Sequence, residues 1–312
     1  MNSKGFKKPF FSIIVPTYNR ADILKQAIQS VINQTDPSWE LIIVDNFSSD
    51  DTKSVVNSFK DKRIKFFQIN NKGIIAKSRN LGISHSLGDW IAFLDSDDYF
   101  FPQKLEICRR YTNKSQDIIY HPTWIQHSAN KKIIDLTWTR DISKQPFINL
   151  LFEVPTFATS SVLVRKQLLD KDNLFPEKDS LVASEDFYLW LKLSSKGANF
   201  CNIRFILGVN QVGENNISDR DMSIPLGNVY RDFKDQVSEK DYLVFKMIVS
   251  SYHSLFLLNK GLIFQSLSSL FKVSISSKFR TNIFFVSRFL LSKLKSKVIS
   301  KFMFFIFIKK FK

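Results

Sequence analysis

The chain is poor in cysteine and lacks the glycine-rich loops that usually cradle phosphate. Two cysteines in 312 residues, Cys108 and Cys201, cannot staple a disulfide scaffold and stand at no metal-ligand spacing. They read as small core residues of an intracellular protein with reduced thiols. Neither GxGxxG nor GxxxxGK[ST] occurs, so any bound phosphate must be neutralised by other means. No apolar run reaches about 18 residues, which argues against a spanning helix. The nearest stretches are Leu255 to Phe271, broken by Lys260, and the shorter Phe302 to Ile308. Near the start, Phe10 to Val15 is shorter than the apolar core of about 7–15 residues in a signal peptide, and no small-residue cleavage site follows. It reads as a first strand. His85, His121, His127 and His253 show no metal-cluster spacing. A hydrophobic content of 44% with 9 Pro excludes a disordered or collagen-like chain.

Acidic charge is missing from one region altogether. Residues 251–312 hold 12 Lys+Arg and no Asp or Glu, and they carry 12 of the 31 Phe. The other 250 residues hold 33 basic against 29 acidic, a near-neutral body. A basic aromatic tail suits an anionic surface. From Phe284 onward Leu290, Leu291, Leu294, Val298 and Phe302 fall on one helical stripe, with Arg288, Lys293, Lys297 and Lys301 elsewhere. That pattern predicts an amphipathic helix lying in a membrane interface. The alternative is a stripe packed on the protein's own body. Nucleic acid is the poorer fit, because no nucleic-acid motif is present and the tail is strongly apolar. The expected organisation is a body over 9–220 and a helical, basic, membrane-associating region over 221–312, with a polar hinge at Asn215 to Pro225.

The first hundred residues alternate. Strands are expected at Phe11 to Val15, Leu41 to Val44, Ile64 to Ile69 and Trp90 to Leu94. Helices are expected at Asp22 to Gln34, with Ile23, Leu24, Ala27, Ile28, Val31 and Ile32 on the inner stripe, then at Asp51 to Phe59 and Ile74 to Ser86. Nearly continuous apolar strands are buried on both faces, so the fold class is α/β: an open, mostly parallel sheet with helices on both faces. The second half is less regular. It suggests a helix at Pro102 to Tyr111, short strands at Asp117 to Tyr120, Lys131 to Leu136 and Thr159 to Arg165, and a helix at Ser184 to Ser195.

Ligands of such sheets sit outside the carboxyl ends of the strands. The residues there are Pro16-Thr17-Tyr18-Asn19-Arg20, Asp45-Asn46, Asn70-Asn71-Lys72 and Asp95-Ser96-Asp97-Asp98, all polar and all expected on one edge. With no glycine loop, Asp95 and Asp97 can hold a hard divalent cation that bridges a diphosphate. Arg79 or Lys72 can add a direct cationic contact.

Five ordered motifs, SIIVPTYNRADIL, ELIIVDNFSSDDT, AKSRNLGIS, GDWIAFLDSDDYFFPQKL and SEDFYLWLKL, resemble those of the family 2 glycosyltransferases, over roughly residues 10–220. The resemblance implies a GT-A fold, with a nucleotide-sugar half at about 10–98 and an acceptor half at about 99–220. It implies inverting transfer of a hexose from a nucleotide sugar to an acceptor hydroxyl in cell-surface glycan or polysaccharide synthesis. By it, Pro16, Thr17 and Tyr18 line the base and ribose pocket. Asp45, Asn46, Arg79 and Asp95 contact the donor. Asp97 holds a divalent cation (Mn²⁺ or Mg²⁺), and Asp186 is the catalytic base with Glu185 as its rival.

Two departures stand out. Asn46 occupies a position where the family usually has Asp. An amide can accept from a base N–H or donate to a ring carbonyl, so a UDP- or dTDP-type donor is expected with the base left open. Gly213 occupies a place where many relatives have His, which leaves the cation to Asp97, phosphate oxygens and water. The expected partners are a nucleotide-sugar donor, a glycan or lipid-linked acceptor and, through the tail, an anionic membrane on its cytoplasmic face. The alternative reading is a non-catalytic nucleotide-sugar-binding or membrane scaffold protein on the same fold.

Overall fold

Burial of apolar strands between helices organises the N-terminal part of the chain. The computed structural model describes residues 8–269 apart from 114, 138, 154–156, 214–219, 263–264 and 267. It divides into two compact units, Met1–Asn215 and Asn216–Lys312. The tail stripe from Phe284 onward lies outside the described residues.

In the first unit β1 (Phe11–Thr17), β2 (Trp39–Asp45), β3 (Ile64–Gln68) and β4 (Trp90–Phe93) alternate with α1 (Ala21–Ile32), α2 (Thr52–Ser58) and α3 (Ile75–His85). β5 (Tyr99–Phe100), α4 (Lys104–Arg109), β6 (Ile118–Tyr120), β7 (Trp124–His127), β8 (Ile133–Leu136) and α5 (Pro146–Glu153) follow. β9 (Val162–Arg165), α6 (Glu185–Ser195), β10 (Phe200–Asn202) and β11 (Gly208–Val212) complete the unit. The central sheet has seven strands in the order β10-β6-β9-β4-β1-β2-β3. Only β9 runs antiparallel to its neighbours; every other pairing in this sheet is parallel. A second sheet of four strands, β5-β11-β7-β8, stands beside it.

Alternation along β1 explains the two-faced cover. Ile13 and Val15 join the core cluster that contains Leu24, Ala27, Ile28 and Val31 of α1. Ile14 points the other way, toward α3, where a Cβ on Gly82 would lie 2.5 Å from its side chain. Gly82 therefore lets α3 approach β1 closely and carries the residues around it to the sheet edge.

Several local expectations change. Ile23 is exposed, because the inward stripe of α1 runs through Ala21, Leu24, Ala27, Ile28 and Val31. β3 is one of the sheet's two outer strands and only half-buried. Residues Thr159–Ser161 form a 3₁₀ turn rather than the start of a strand, since their side chains are drawn into polar contacts described below. Of the second sheet only β8 was expected, within Lys131 to Leu136; β5, β7 and β11, two to five residues long, were not.

In the second unit α7 (Ser223–Asp232) and α8 (Glu239–Asn259) pack together, with Tyr230 stacked on Phe245 at 4.5 Å between ring centroids. Ser223 to Pro225 is a helix start rather than part of a hinge. Just before it Asp221 accepts from Ser223 N at 3.0 Å in a local turn, and proline is tolerated in a first turn. Among the described residues no helix is long and apolar enough to cross a membrane.

Candidate active site

Strand order reverses at β1: β2 and β3 lie to one side and β4 to the other. The crevice outside the carboxyl ends of β1 and β4 is thus a topological switch point, where open α/β sheets take their ligands. Pro16 and Thr17 end β1, beside Val44 and Asp45 at the end of β2. Thr17 is buried, and its hydroxyl has no hydrogen-bond partner among the described residues. Tyr18 follows with 55% exposure. Asp45 is buried and accepts from Ser48 N at 3.1 Å, Ser48 Oγ at 2.5 Å and Gln68 Nε2 at 3.0 Å. Asn46 donates its backbone N–H to Thr17 O, and its side-chain oxygen accepts from Asn71 N at 2.8 Å. That oxygen is therefore engaged, and the amide nitrogen is the side-chain group left to a ligand.

The polar heart of α3 builds the other half of the site. Ser78, Arg79 and Asn80 are all buried, and each holds a different segment. Ser78 Oγ accepts from Asn71 Nδ2 at 2.8 Å. Asn80 donates to Phe175 O and accepts from Phe175 N at 2.9 and 3.1 Å. Arg79 donates to Asp95 Oδ1 at 2.9 Å and to Glu185 Oε1 at 2.7 Å. Burial works against its charge, but Asp95, Glu185 and Asp186 outweigh it and raise its pKa further. Both terminal nitrogens of Arg79 are thus committed to carboxylates.

Asp95, two residues after β4, is fixed at its backbone by Ser160 Oγ, which accepts from Asp95 N at 3.0 Å and donates to Asp98 Oδ2 at 2.5 Å. Asp98 is buried and also accepts from Asn210 Nδ2 and Gln211 N. Burial, with Asp97 and Asp95 nearby, pushes its carboxyl well up. Lys104, wholly buried, donates to Ser160 O at 2.7 Å. Burial brings its pKa down to about 7. Asp97 remains partly open and pairs with Arg20 at 2.5 Å. Burial raises its pKa, Asp95 adds to that and Arg20 opposes it.

At the start of α6, Glu185 and Asp186 differ sharply. Glu185 is buried against Arg79, its Oε2 has no partner among the described residues, and burial pushes its carboxyl up against the pull of that arginine. Asp186 is half-buried, accepts from Thr159 Oγ1 at 2.6 Å and from its neighbour Phe187 N at 2.7 Å, and is the more accessible of the two. The Thr159–Ser161 turn therefore ties the acids of α6 to those after β4.

The structure thus gathers Arg79, Asp95, Asp97 and Asp186 through direct or one-step contacts. Pro16, Thr17, Tyr18, Asp45 and Asn46 line the neighbouring strand ends. Lys72 stands exposed on the turn after β3 with no ion pair to these acids among the described residues. Sequence reasoning placed Arg20 on this edge without a role, and it missed Ser78, Asn80, Lys104, Thr159 and Ser160. The readable signal was a polar triplet in the middle of a helix that has to pack on a sheet.

The donor set suits a hard cation sparingly. Among the described residues no three His, Cys, Asp or Glu side chains converge on one point. Asp97 and Asp95 nonetheless lie close enough to raise the Asp97 pKa, and the guanidinium of Arg20 supplies the positive charge there. At Gly213 a Cβ would collide with Ser128 Oγ, so any side chain at that point needs the Ser128 hydroxyl to swing away.

Comparison with known proteins agrees with this architecture. The family described as "Glycosyl transferase family 2" matches residues 12–172. An uncharacterized glycosyltransferase of Rickettsia felis is 35% identical over 188 residues, 60% of this chain and 30% of that protein. The match spans only 26–30% of the length of that protein and of its counterparts in Rickettsia conorii and Rickettsia bellii. The E. coli UDP-Glc:alpha-D-GlcNAc-diphosphoundecaprenol beta-1,3-glucosyltransferase WfgD is 30% identical over 66% of this chain and 79% of its own. The fold matches S. aureus TarS 1-349 in complex with UDP-GlcNAc, with a TM-score of 0.62 and 19% identity over 84% of this chain and 81% of that one. It also matches the Pyrobaculum calidifontis mannosyltransferase PcManGT in complex with GDP-Man and Mn²⁺, with a TM-score of 0.59 and 16% identity over 96% and 85%. The fold is therefore GT-A.

Proposed function

We propose that this chain, which belongs to glycosyl transferase family 2, moves a hexose from a UDP- or dTDP-type nucleotide sugar to a hydroxyl of a lipid-linked glycan acceptor. The observation that carries this reading is the buried Arg79. It joins Asp95, at the end of β4, to Glu185, at the start of α6, and leaves the half-buried Asp186 open beside them.

In this reading Asp186 takes the proton from the acceptor oxygen. A carboxylate positioned for that transfer contributes about 10²–10⁴-fold. The acceptor oxygen then bonds to the anomeric carbon from the face opposite the leaving group. The bond from that carbon to the phosphate oxygen breaks, and the nucleoside diphosphate leaves with the electron pair. One displacement inverts the centre and needs one base, in contrast to a glycosidase's two carboxylates. Thr159 orients Asp186, and Arg79 with Glu185 keeps Asp95 turned toward the donor. Asp97, with donor phosphate oxygens and water, would hold a divalent cation, which supplies Lewis-acid stabilisation of the leaving diphosphate when bound. Thr17, Tyr18, Asp45 and Asn46 surround the nucleoside. The donor half spans about 10–98 and the acceptor half about 99–220. Residues 251–312, with 12 basic and no acidic side chains, hold the protein peripherally on an anionic cytoplasmic membrane face.

The test is transfer by the full chain from a panel of UDP- and dTDP-sugars to a polyprenyl-diphosphate-linked acceptor. The expected result is glycolipid product in a 1:1 ratio with released nucleoside diphosphate. Asp186→Asn should lower turnover by about 10²-fold or more with nucleotide affinity retained. Nucleotide-sugar binding without transfer or donor hydrolysis in any combination would replace this reading with the scaffold one.

A further inference from the structure

The turns after β1 and β2 carry a feature that neither the fold nor the acid cluster explains. Three aromatic side chains are exposed among the described residues: Tyr18, Phe47 and Phe205. Two of them, Tyr18 at 55% and Phe47 at 58%, stand on these two adjoining turns. The turns are laced together. Asn19 N donates to Ser48 Oγ at 2.8 Å, Ser49 N donates to Asn19 Oδ1 at 2.8 Å, and Asn46 N donates to Thr17 O at 3.0 Å.

Each turn also contains a residue in the left-handed region, Asn19 at φ 49° and Phe47 at φ 50°. Asparagine tolerates that conformation. A bulky phenylalanine does not, because its Cβ crowds the backbone. The strain is locked in from both sides. Before Phe47, Asn46 is held by Asn71 N. After it, Ser48 is held by Asp45 through both its backbone N–H and its hydroxyl. So Phe47 combines an unfavourable backbone with a large apolar ring in water, and the folded protein on its own gains nothing evident from either. Strain retained under such constraint points to a role in the working state.

We propose that Phe47 is a donor-recognition residue: with Tyr18 it forms an aromatic clamp that receives the planar base of the nucleotide across the ends of β1 and β2. This rests on the donor reading above and adds to it a residue and a mode of recognition. A ring at 58% exposure is free to bury a π-face against a base. Base–aromatic stacking of this kind tolerates different bases, so Phe47 sets affinity. Choice between bases falls to polar groups such as the free amide nitrogen of Asn46.

The experiment pairs two readouts on the full chain, thermal unfolding and isothermal titration with UDP, dTDP and GDP. Phe47→Gly removes both the strain and the ring, so the readouts should move in opposite directions. The melting temperature should rise by about 2–4 °C. The Kd of whichever nucleotide binds the wild type should increase by about 5–20-fold. Phe47→Trp should keep the wild-type affinity within about twofold. Unchanged affinity in Phe47→Gly, with nucleotide bound by the wild type, overturns the clamp and leaves the donor reading standing. A lower melting temperature in Phe47→Gly shows that the ring packs on the body and also overturns it. A wild type that binds none of the three nucleotides overturns the donor reading and the clamp with it.

Discussion

Replacing Arg79 with methionine is the sharpest test of how the acid cluster is held. The arginine side chain is 4% exposed and bridges Asp95, 33% exposed, and Glu185, 8% exposed. Methionine keeps much of the aliphatic volume, so the loss is chiefly electrostatic. Asp95 retains water on one side and loses little. Glu185 has no such access, and its Oε2 already lacks a partner among the described residues. Breaking a buried ion pair from one side costs about 3–5 kcal/mol, and the Glu185 contact should account for most of it. Glu185 can limit that cost by taking a proton, which its upward-shifted pKa already favours. Glu185→Gln alone should cost about 1–3 kcal/mol, since Arg79 keeps Asp95 and one neutral acceptor. The double variant, with no buried carboxylate left unpaired, should be more stable than the sum of the two costs predicts, by about 1.5–3 kcal/mol. Urea denaturation with unchanged m-value is the assay. Additivity within about 0.5 kcal/mol, or a cost for Arg79→Met below about 1 kcal/mol, would refute the bridging role.

Other expectations concern the cation, pH and the tail. Asp97→Ala should abolish the difference in nucleoside diphosphate affinity between excess Mn²⁺ and excess chelator, measured by titration calorimetry; wild-type transfer undiminished in chelator would sink the cation assignment. Glu40 is buried in β2 and accepts from Ser12 Oγ at 2.5 Å, Leu87 N at 2.5 Å and Lys65 Nζ at 2.6 Å. Burial alone would raise its pKa, but these three partners hold it below the ordinary 4.5. Its folded pKa is depressed, so its stabilisation is present above pH 4.5 and is lost as pH falls through the folded value. Glu40→Gln should flatten the acid limb of the stability–pH profile and cost about 1–3 kcal/mol at neutral pH, while an unchanged acid limb would discount this residue. The full chain should float with acidic liposomes, bind neutral ones less and be released by salt, at about 1 kcal/mol per basic residue near the surface. Equal binding to neutral liposomes would remove the electrostatic part.

The alternating apolar runs of the first hundred residues were enough to indicate an open α/β sheet, because a strand covered on both faces must be apolar almost throughout. For the same reason the polar residues that end those runs, from Thr17 to Asp45 and Asp95, fall at one sheet edge on the sequence pattern alone. The pairing of those groups was not legible. Arg79 meets Glu185 across 106 positions, and Ser160 reaches Asp98 across 62. Nothing in the spacing marks Asp186, rather than Glu185, as the carboxylate left open. Of the second sheet only β8 was legible, because β5, β7 and β11 are too short to show a period, and Ile23 was misread because an apolar residue one position off the stripe looks like part of it. Phe47 drew no reading from the sequence, because only its backbone angle and its exposure together set it apart. Local pattern decides which segments must be buried, since that depends on each residue's own transfer from water. Which buried charge answers which depends on where packing brings distant segments, and for this chain only the tertiary structure decided that.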